Sequence, residues 1–178
     1  MTRLVICRHV DPNDPAAARA LAHALHPLPL AAVYTSPLRR ARETAAAVAQ
    51  EHALAPVVVD ALREIDLGGV EGRSFDEYPA ELQEALLERP TQASFPGGET
   101  YGELQRRVCA AVDEIVVRHP DSTVAVITHA GPIRALLGAW LRVEGDAIFR
   151  LDQRYGAVNV VDWTDGFPLV RLVNGTRP

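Results

Sequence analysis

Two histidines close two short apolar runs more than a hundred residues apart: Leu4-Val5-Ile6-Cys7-Arg8-His9 and Val124-Ala125-Val126-Ile127-Thr128-His129. Runs of this length, rich in β-branched residues, read as buried strands. Side chains at the carboxyl ends of neighbouring parallel strands converge on one crevice, where α/β sheets place their ligands. Two imidazoles and the Arg8 guanidinium delivered there suit phosphate chemistry. Taken alone, an imidazole at a sheet edge is as often a satisfied core histidine as it is a metal ligand or a nucleophile. The next strand narrows the choice, because it ends at the arginine-rich helix start Thr35-Ser36-Pro37-Leu38-Arg39-Arg40-Ala41-Arg42-Glu43-Thr44. A helix N-terminus offers free backbone N–H groups to an anion, and Arg40 adds a two-pronged donor. Arg39 and Arg42 read as solvated helix surface.

The elements that must position these groups follow from periodicity and punctuation. Strands are expected at 3–9, 31–35, 56–60 and 123–129, and helices at about 15–26, 37–52, 75–89, 101–118 and 132–142. A hairpin pairs 157–163 with 168–174 across Asp165-Gly166. Asp14 before Pro15 and Ser36 before Pro37 are N-cap candidates, and Thr100 with Glu103 makes a capping box. Helix 101–118 carries Leu104, Val108, Ala111, Val112, Ile115 and Val116 at spacings that form one apolar stripe. The first and fourth strands are nearly continuous apolar runs, the pattern of central parallel strands covered on both faces. Strands and helices alternate, which gives an α/β fold, a three-layer α/β/α sandwich whose mostly parallel central sheet ends in an antiparallel edge strand.

Composition bounds the chemistry further. At 178 residues the chain is expected to form one domain over 1–178. All 18 basic residues are arginine, which removes Schiff-base chemistry and the P-loop lysine. A net charge of −5 argues against nucleic acid as a partner. No apolar run approaches a membrane span, and Leu4–Cys7 is too short for a signal peptide, so a cytoplasmic location is expected. Cys7 and Cys109 have no metal-knuckle or disulfide spacing and read as inert core thiols. A cysteine phosphatase loop starting at Cys7 would need arginine at position 13, which is Asn13.

Five ordered motifs resemble the histidine phosphatase superfamily, the phosphoglycerate-mutase-like group. Arg8-His9 matches its Arg-His-Gly, and 35–45 match Ser-Pro-Leu-x-Arg-Ala-x-x-Thr-Ala. Leu62-Arg63-Glu64-Ile65-Asp66-Leu67-Gly68-Gly69-Val70-Glu71-Gly72 resembles Leu-x-Glu-x-x-x-Gly-x-Trp-Glu-Gly, with Val70 in place of Trp. Pro96-Gly97-Gly98-Glu99-Thr100 resembles the Pro-Gly-Gly-Glu-Ser of the phosphatase branch, and Thr128-His129-Ala130-Gly131 resembles Ser-His-Gly-Gly. The resemblance implies a phosphohistidine formed on His9, with Glu64 as proton donor and acceptor and His129 as third catalytic group. Arg8, Arg40, Asn13 and Ala130 are then phosphate-binding, and neither a metal nor a cofactor takes part. Imidazolium at His129 would add its charge to that of the arginines. The implied partner is a small-molecule phosphate ester, and the short length and Pro-Gly-Gly-Glu-Thr resemble the α-ribazole and broad-specificity phosphatases of the family. Glu71 and Glu99 are further acid candidates that more readily brace loops. Asn13 either meets phosphate or merely precedes the helix cap, and Asn159 either orients a loop near the site or satisfies a backbone group.

The chain departs from this pattern at Val10, which stands where the family has glycine, and at Asp11-Pro12. A β-branched residue there is expected to shift the backbone that meets phosphate. The short stretch from His9 to Ser36, the lack of a long insertion after Glu64 and the bare tail after Asn174 predict an open mouth. That favours hydrolysis over a phosphoglycerate mutase, which must exclude water. A non-catalytic phospho-ligand binding module is the competing class, and a metal hydrolase using His9, Asp11 and His129 is weaker, because the arginines would crowd a cation. A homodimer through an edge strand or an exposed helix is left open.

Overall fold

The computed structural model describes residues 1–178. Its six strands are β1 (Thr2–Arg8), β2 (Leu30–Thr35), β3 (Val57–Val58), β4 (Thr123–Thr128), β5 (Val158–Thr164) and β6 (Phe167–Gly175). They lie in the order β3-β2-β4-β1-β5-β6. The first four in that order are parallel, β5 runs antiparallel to β1, and β6 runs antiparallel to β5. The central pair is β4 and β1, as the unbroken apolar runs predict.

Why those runs are unbroken is visible in how alternate residues divide. Val5 and Cys7 point to the layer formed by α1 (Pro15–Leu25) and α2 (Arg39–Glu51), meeting Leu21, Leu25, Ala45 and Val48. Leu4 and Ile6 point to the opposite layer of α4 (Tyr101–Arg118) and α5 (Ala130–Leu141), meeting Leu104, Val108, Val112, Ile133 and Leu136. A strand covered on both sides has no polar face to show. The result is the three-layer α/β/α arrangement with an antiparallel edge. A smaller apolar cluster of Val70, Leu82, Ala93 and Phe95 lies under α3 (Ala80–Glu88). No helix is long and apolar enough to cross a membrane.

Several boundaries differ from expectation for identifiable reasons. The helix expected over 75–89 is a single 3₁₀ turn, Phe75–Glu77, followed by α3, because Tyr78 before Pro79 is extended, at φ −71° and ψ 153°. Helix α2 starts at Arg39 rather than 37, with Leu38 extended and no side-chain cap. Ser36 is not its N-cap: it accepts from the Leu38 N–H and turns to His129. Helix α5 starts at Ala130, two residues before Pro132, whose missing N–H is harmless in a first turn. The expected strand 56–60 shrinks to Val57–Val58, since the chain turns into a 3₁₀ helix at Asp60–Leu62. Asp14 and the Thr100/Glu103 box cap as read.

Two loops that flank the head of the sheet cross backbone to backbone. Gly69 N–H donates to Pro96 O at 2.7 Å and Glu99 N–H to Asp66 O at 2.9 Å. A side chain on Gly98 would collide with the Asp66 and Gly68 backbones, so the crossing exists only because glycine sits there. Gly98→Ala is expected to lower the unfolding free energy by about 2 kcal/mol through overpacking of this crossing, measured by denaturant melts.

Candidate active site

The register of three strands places the chemistry. Arg8 pairs with Thr128 across β1 and β4, and Thr35 with Ile127 across β2 and β4, so His9, His129 and Ser36 leave the sheet side by side. His9 N–H donates to Thr128 O at 2.9 Å, and Ser36 N–H to Ile127 O at 3.0 Å. The two imidazole rings stand edge to face with centroids 5.0 Å apart, both buried.

Hydrogen bonds fix the tautomer of His9. Its Nδ1 lies 2.8 Å from Val10 O, which can only accept, so the ring proton is on Nδ1. Nε2 is then a bare lone pair, and Arg40 Nε donates to it at 3.1 Å. Burial pushes the His9 imidazole down to about 4, assisted by Arg40 and Arg8, although the Val10 carbonyl opposes the shift. His129 is pushed down to about 3 by burial, with Arg40, His9 and Arg8 adding to the effect. Both rings are therefore neutral near pH 7, so the imidazolium weighed for His129 does not add its charge. The positive charge there belongs to the arginines. Ser36 Oγ sits 2.7 Å from His129 Nε2. Two buried polar atoms, Arg8 Nε and His129 Nδ1, find no partner within the fold.

Arg8 is held on two sides. Its Nη1 donates to Gln153 O at 2.5 Å, and the Tyr155 ring lies 4.0 Å from its guanidinium carbon. Tyr155 also leans on His9 at 5.4 Å and is half-exposed at the mouth. Behind this loop Gln153 and Asn159 form a fully buried pair of reciprocal amide bonds, 2.9 and 2.8 Å. Asn159 further donates to Ile6 O and accepts from Asn174 N–H. Asn159 thus does both things its position allowed, orienting the loop that carries Gln153 and Tyr155 and satisfying backbone groups.

Glu64 reaches the same place from the loop after β3. Its carboxylate accepts from Ile65 N–H at 2.9 Å and from Gly131 N–H at 3.3 Å, at the N-terminus of α5. A side chain at Gly131 would occupy the position of the Glu64 carboxylate. The Glu64 backbone is clamped by Arg107, which donates to the carbonyls of Ala61, Arg63 and Glu64 and forms a two-point ion pair with Glu99 at 2.6 and 2.7 Å. Glu99 therefore braces a loop, as expected, and Arg107 is a functional residue the sequence reading missed. Its signal was present: position 107 falls between Leu104 and Val108 on the buried stripe of α4, where an unpaired arginine is not tolerated.

Of the seven candidate residues, Arg8, His9, Arg40 and His129 are in one cluster, joined by Glu64 and by Ala130, whose N–H opens α5 without an intrahelical acceptor. Asn13 is not brought there. It is exposed and bonds back to Asp11 Oδ1 through both its main-chain and side-chain nitrogen, at 2.9 and 3.2 Å. Val10 causes no strain: its φ is not positive, its side chain is packed in the core, and its N–H meets Thr44 Oγ1 at 3.3 Å. Its N–H is thereby taken by Thr44 rather than left free for an anion. Cys7 and Cys109 are free, and burial pushes both thiols up, to about 12 and about 11. Nowhere do three His, Cys, Asp or Glu side chains gather in a group that could hold a metal ion.

Comparison with known proteins gives a consistent picture. Residues 11–176 match the model of the family described as histidine phosphatase superfamily (branch 1). Bifunctional protein Rv2228c of Mycobacterium tuberculosis is 38% identical over 151 residues, covering 83% of this chain and 41% of that protein. Phosphoserine phosphatase 1 of Hydrogenobacter thermophilus is 34% identical over 131 residues, covering 71% of this chain and 62% of that one. The chain thus spans less than two thirds of the length of either relative. Among solved structures, Bacillus stearothermophilus YhfR superposes with a TM-score of 0.87 at 28% identity, over 96% of this chain and 95% of that chain.

The electrostatics predict a specific titration. In the free protein His9 and His129 are expected to stay neutral as pH falls from 8 to 5, read by ring-nitrogen NMR shifts, and bound vanadate should move both titrations upward by offsetting the arginine charge. Both folded-state values lie below the ordinary 6.5, so the unfolded chain binds more protons between pH 6.5 and about 3. Stability should accordingly decline as pH falls through that window.

Proposed function

Because the chain belongs to branch 1 of the histidine phosphatase superfamily, we propose that it hydrolyses a small phosphate monoester through a phosphohistidine on His9, with no metal. The observation that carries this reading is the state of His9: a neutral ring, its proton committed to a carbonyl, its Nε2 lone pair bare and flanked by Arg40. A nucleophile needs that lone pair at neutral pH.

In the first step the Nε2 pair attacks phosphorus in line, the P–O bond to the alcohol breaks, and the Glu64 carboxyl gives its proton to the departing oxygen. In the second, water attacks phosphorus from the opposite side, the P–N bond breaks, and Glu64 takes the proton from water. Inorganic phosphate leaves and His9 is regenerated. Arg8, Arg40, His129 and the Ala130 N–H surround the non-bridging oxygens and neutralise charge that is redistributed in flight. The unpartnered Arg8 Nε and His129 Nδ1 suit this reading, since buried polar atoms left without partners often await a ligand. Asn13 joins only if its loop lets go of Asp11.

Hydrolysis, rather than exchange between two alcohols, is favoured by the mouth. Only six residues connect β1 to α1, and Tyr155 is half-exposed above His9, so water has a path. The relative named as a phosphoserine phosphatase supports the same direction.

The test is p-nitrophenyl phosphate turnover in chelator, with an alkaline quench and mass spectrometry of the His9 peptide. His9→Ala is expected to abolish both turnover and the phosphate adduct, and unchanged turnover in that variant would overturn the reading. Glu64→Gln should slow esters of poorly leaving alcohols by about a hundredfold and p-nitrophenyl phosphate far less.

A further inference from the structure

Beside Glu64 the fold leaves a cavity of about 120 Å³ that the phosphoryl chemistry does not use. Ile65, Leu86, Phe95, Tyr101, Leu104 and Phe149 line it, drawn from α3, α4, the loops before them and the 3₁₀ turn Gly145–Arg150 after α5. Its wall is shared with the site. Gly131 and Ile65 border the cavity, and the same two residues bind the Glu64 carboxylate through their N–H groups. Leu104 approaches the open side of Gly131 next to that carboxylate.

Position and chemistry together restrict what the cavity can take. A proton passes from Glu64 to the leaving oxygen only within hydrogen-bond reach. The carbon that bears this oxygen therefore lies at the cavity entrance, and the rest of the alcohol extends inward. The single charged lining residue, Arg134, has its Nε committed to Leu151 O at 2.8 Å, and the Tyr101 hydroxyl is the one buried lining atom without a partner, so an otherwise apolar wall offers few polar contacts. Most of the hydroxyls of a sugar, or the ammonium group of an amino acid, would be stranded there. A ring of benzene's size fits a dry apolar cavity of about 150 Å³, the same order as this one. The outer end is closed by Phe149, half-exposed and tilted against Tyr101 with centroids 6.0 Å apart, which a ring-bearing ligand can displace or stack upon.

We infer that this cavity is the leaving-group subsite and that the substrate is a phosphate ester of an arylmethyl or branched aliphatic alcohol. The inference rests on the phosphatase reading, and the experiment separates the two. Benzyl phosphate is compared with glycerol 2-phosphate and O-phosphoserine, all esters of alkyl alcohols, so that binding rather than leaving-group activation decides. In parallel, benzylphosphonate and methylphosphonate are titrated calorimetrically.

The expected result is a kcat/KM for benzyl phosphate at least tenfold above the polar esters, expressed mainly in KM, and a tenfold tighter Kd for benzylphosphonate. Leu86→Trp, which fills the cavity, should collapse the benzyl-to-glycerol ratio towards one. Equal kcat/KM for all three esters, equal phosphonate affinities, or a ratio untouched by Leu86→Trp in a folded protein would overturn the subsite while leaving hydrolysis intact. Tenfold phosphonate discrimination without turnover of any ester would keep the subsite and remove the phosphatase reading.

Discussion

The pairing of β1 with β4 is the constraint on which the head of the molecule depends. Arg8 stands opposite Thr128 in a parallel ladder, and the ladder continues one step beyond the sheet in the bond from His9 N–H to Thr128 O. This single register brings together two imidazoles from positions 9 and 129 at a centroid distance of 5.0 Å. A slip by one residue would exchange Leu4 and Ile6 with Val5 and Cys7 between the two helical layers, so both apolar clusters enforce the alignment that the site requires. Core packing and site geometry are thus one specification rather than two.

Electrostatically the site is a pair of guanidinium groups around neutral rings. Burial and the two arginines act in the same direction on His9 and His129, keeping protons off both. Such an arrangement is poised for an anion: a phosphate dianion offsets the arginine charge that depresses the rings, so ligand and protonation are linked. The arginines themselves depend on a surrounding frame. Gln153 O and Tyr155 fix Arg8, while Arg107 with Glu99 fixes the main chain that presents Glu64.

Much of this was legible in the residues. Continuous apolar runs at 4–7 and 124–127 marked central strands, and the Asp165-Gly166 turn, with both residues at positive φ, marked the hairpin. Arg8, His9, Arg40 and His129 were marked by their positions at element ends, and Glu64 only by the motif it shares with the family. What escaped was carried by groups with no side-chain signature. The Gln153 carbonyl holds Arg8, and any residue has a carbonyl. Ser36 resembled a helix cap because Ser-Pro precedes a helical run, yet its hydroxyl serves His129. Asn13 followed a histidine at a suggestive distance, but Asp11, two residues before it, captures both of its nitrogens. Local competition of this kind is invisible until the turn is built.

The amide pair of Gln153 and Asn159 has a mechanical consequence. It joins the loop that grips Arg8 to the backbone of β1 through Ile6 O and to the end of β6 through the Asn174 N–H. Strand β6 lies at the open edge of the sheet, two places from β1 in the strand order, with an exposed face that includes Phe167 and Leu169. Any fraying of that outer hairpin from its Asn174 end loosens the amide pair and then the guanidinium, so grip on an oxyanion is only as firm as the anchoring of the last strand. The edge of the sheet acts as a tensioner for its centre.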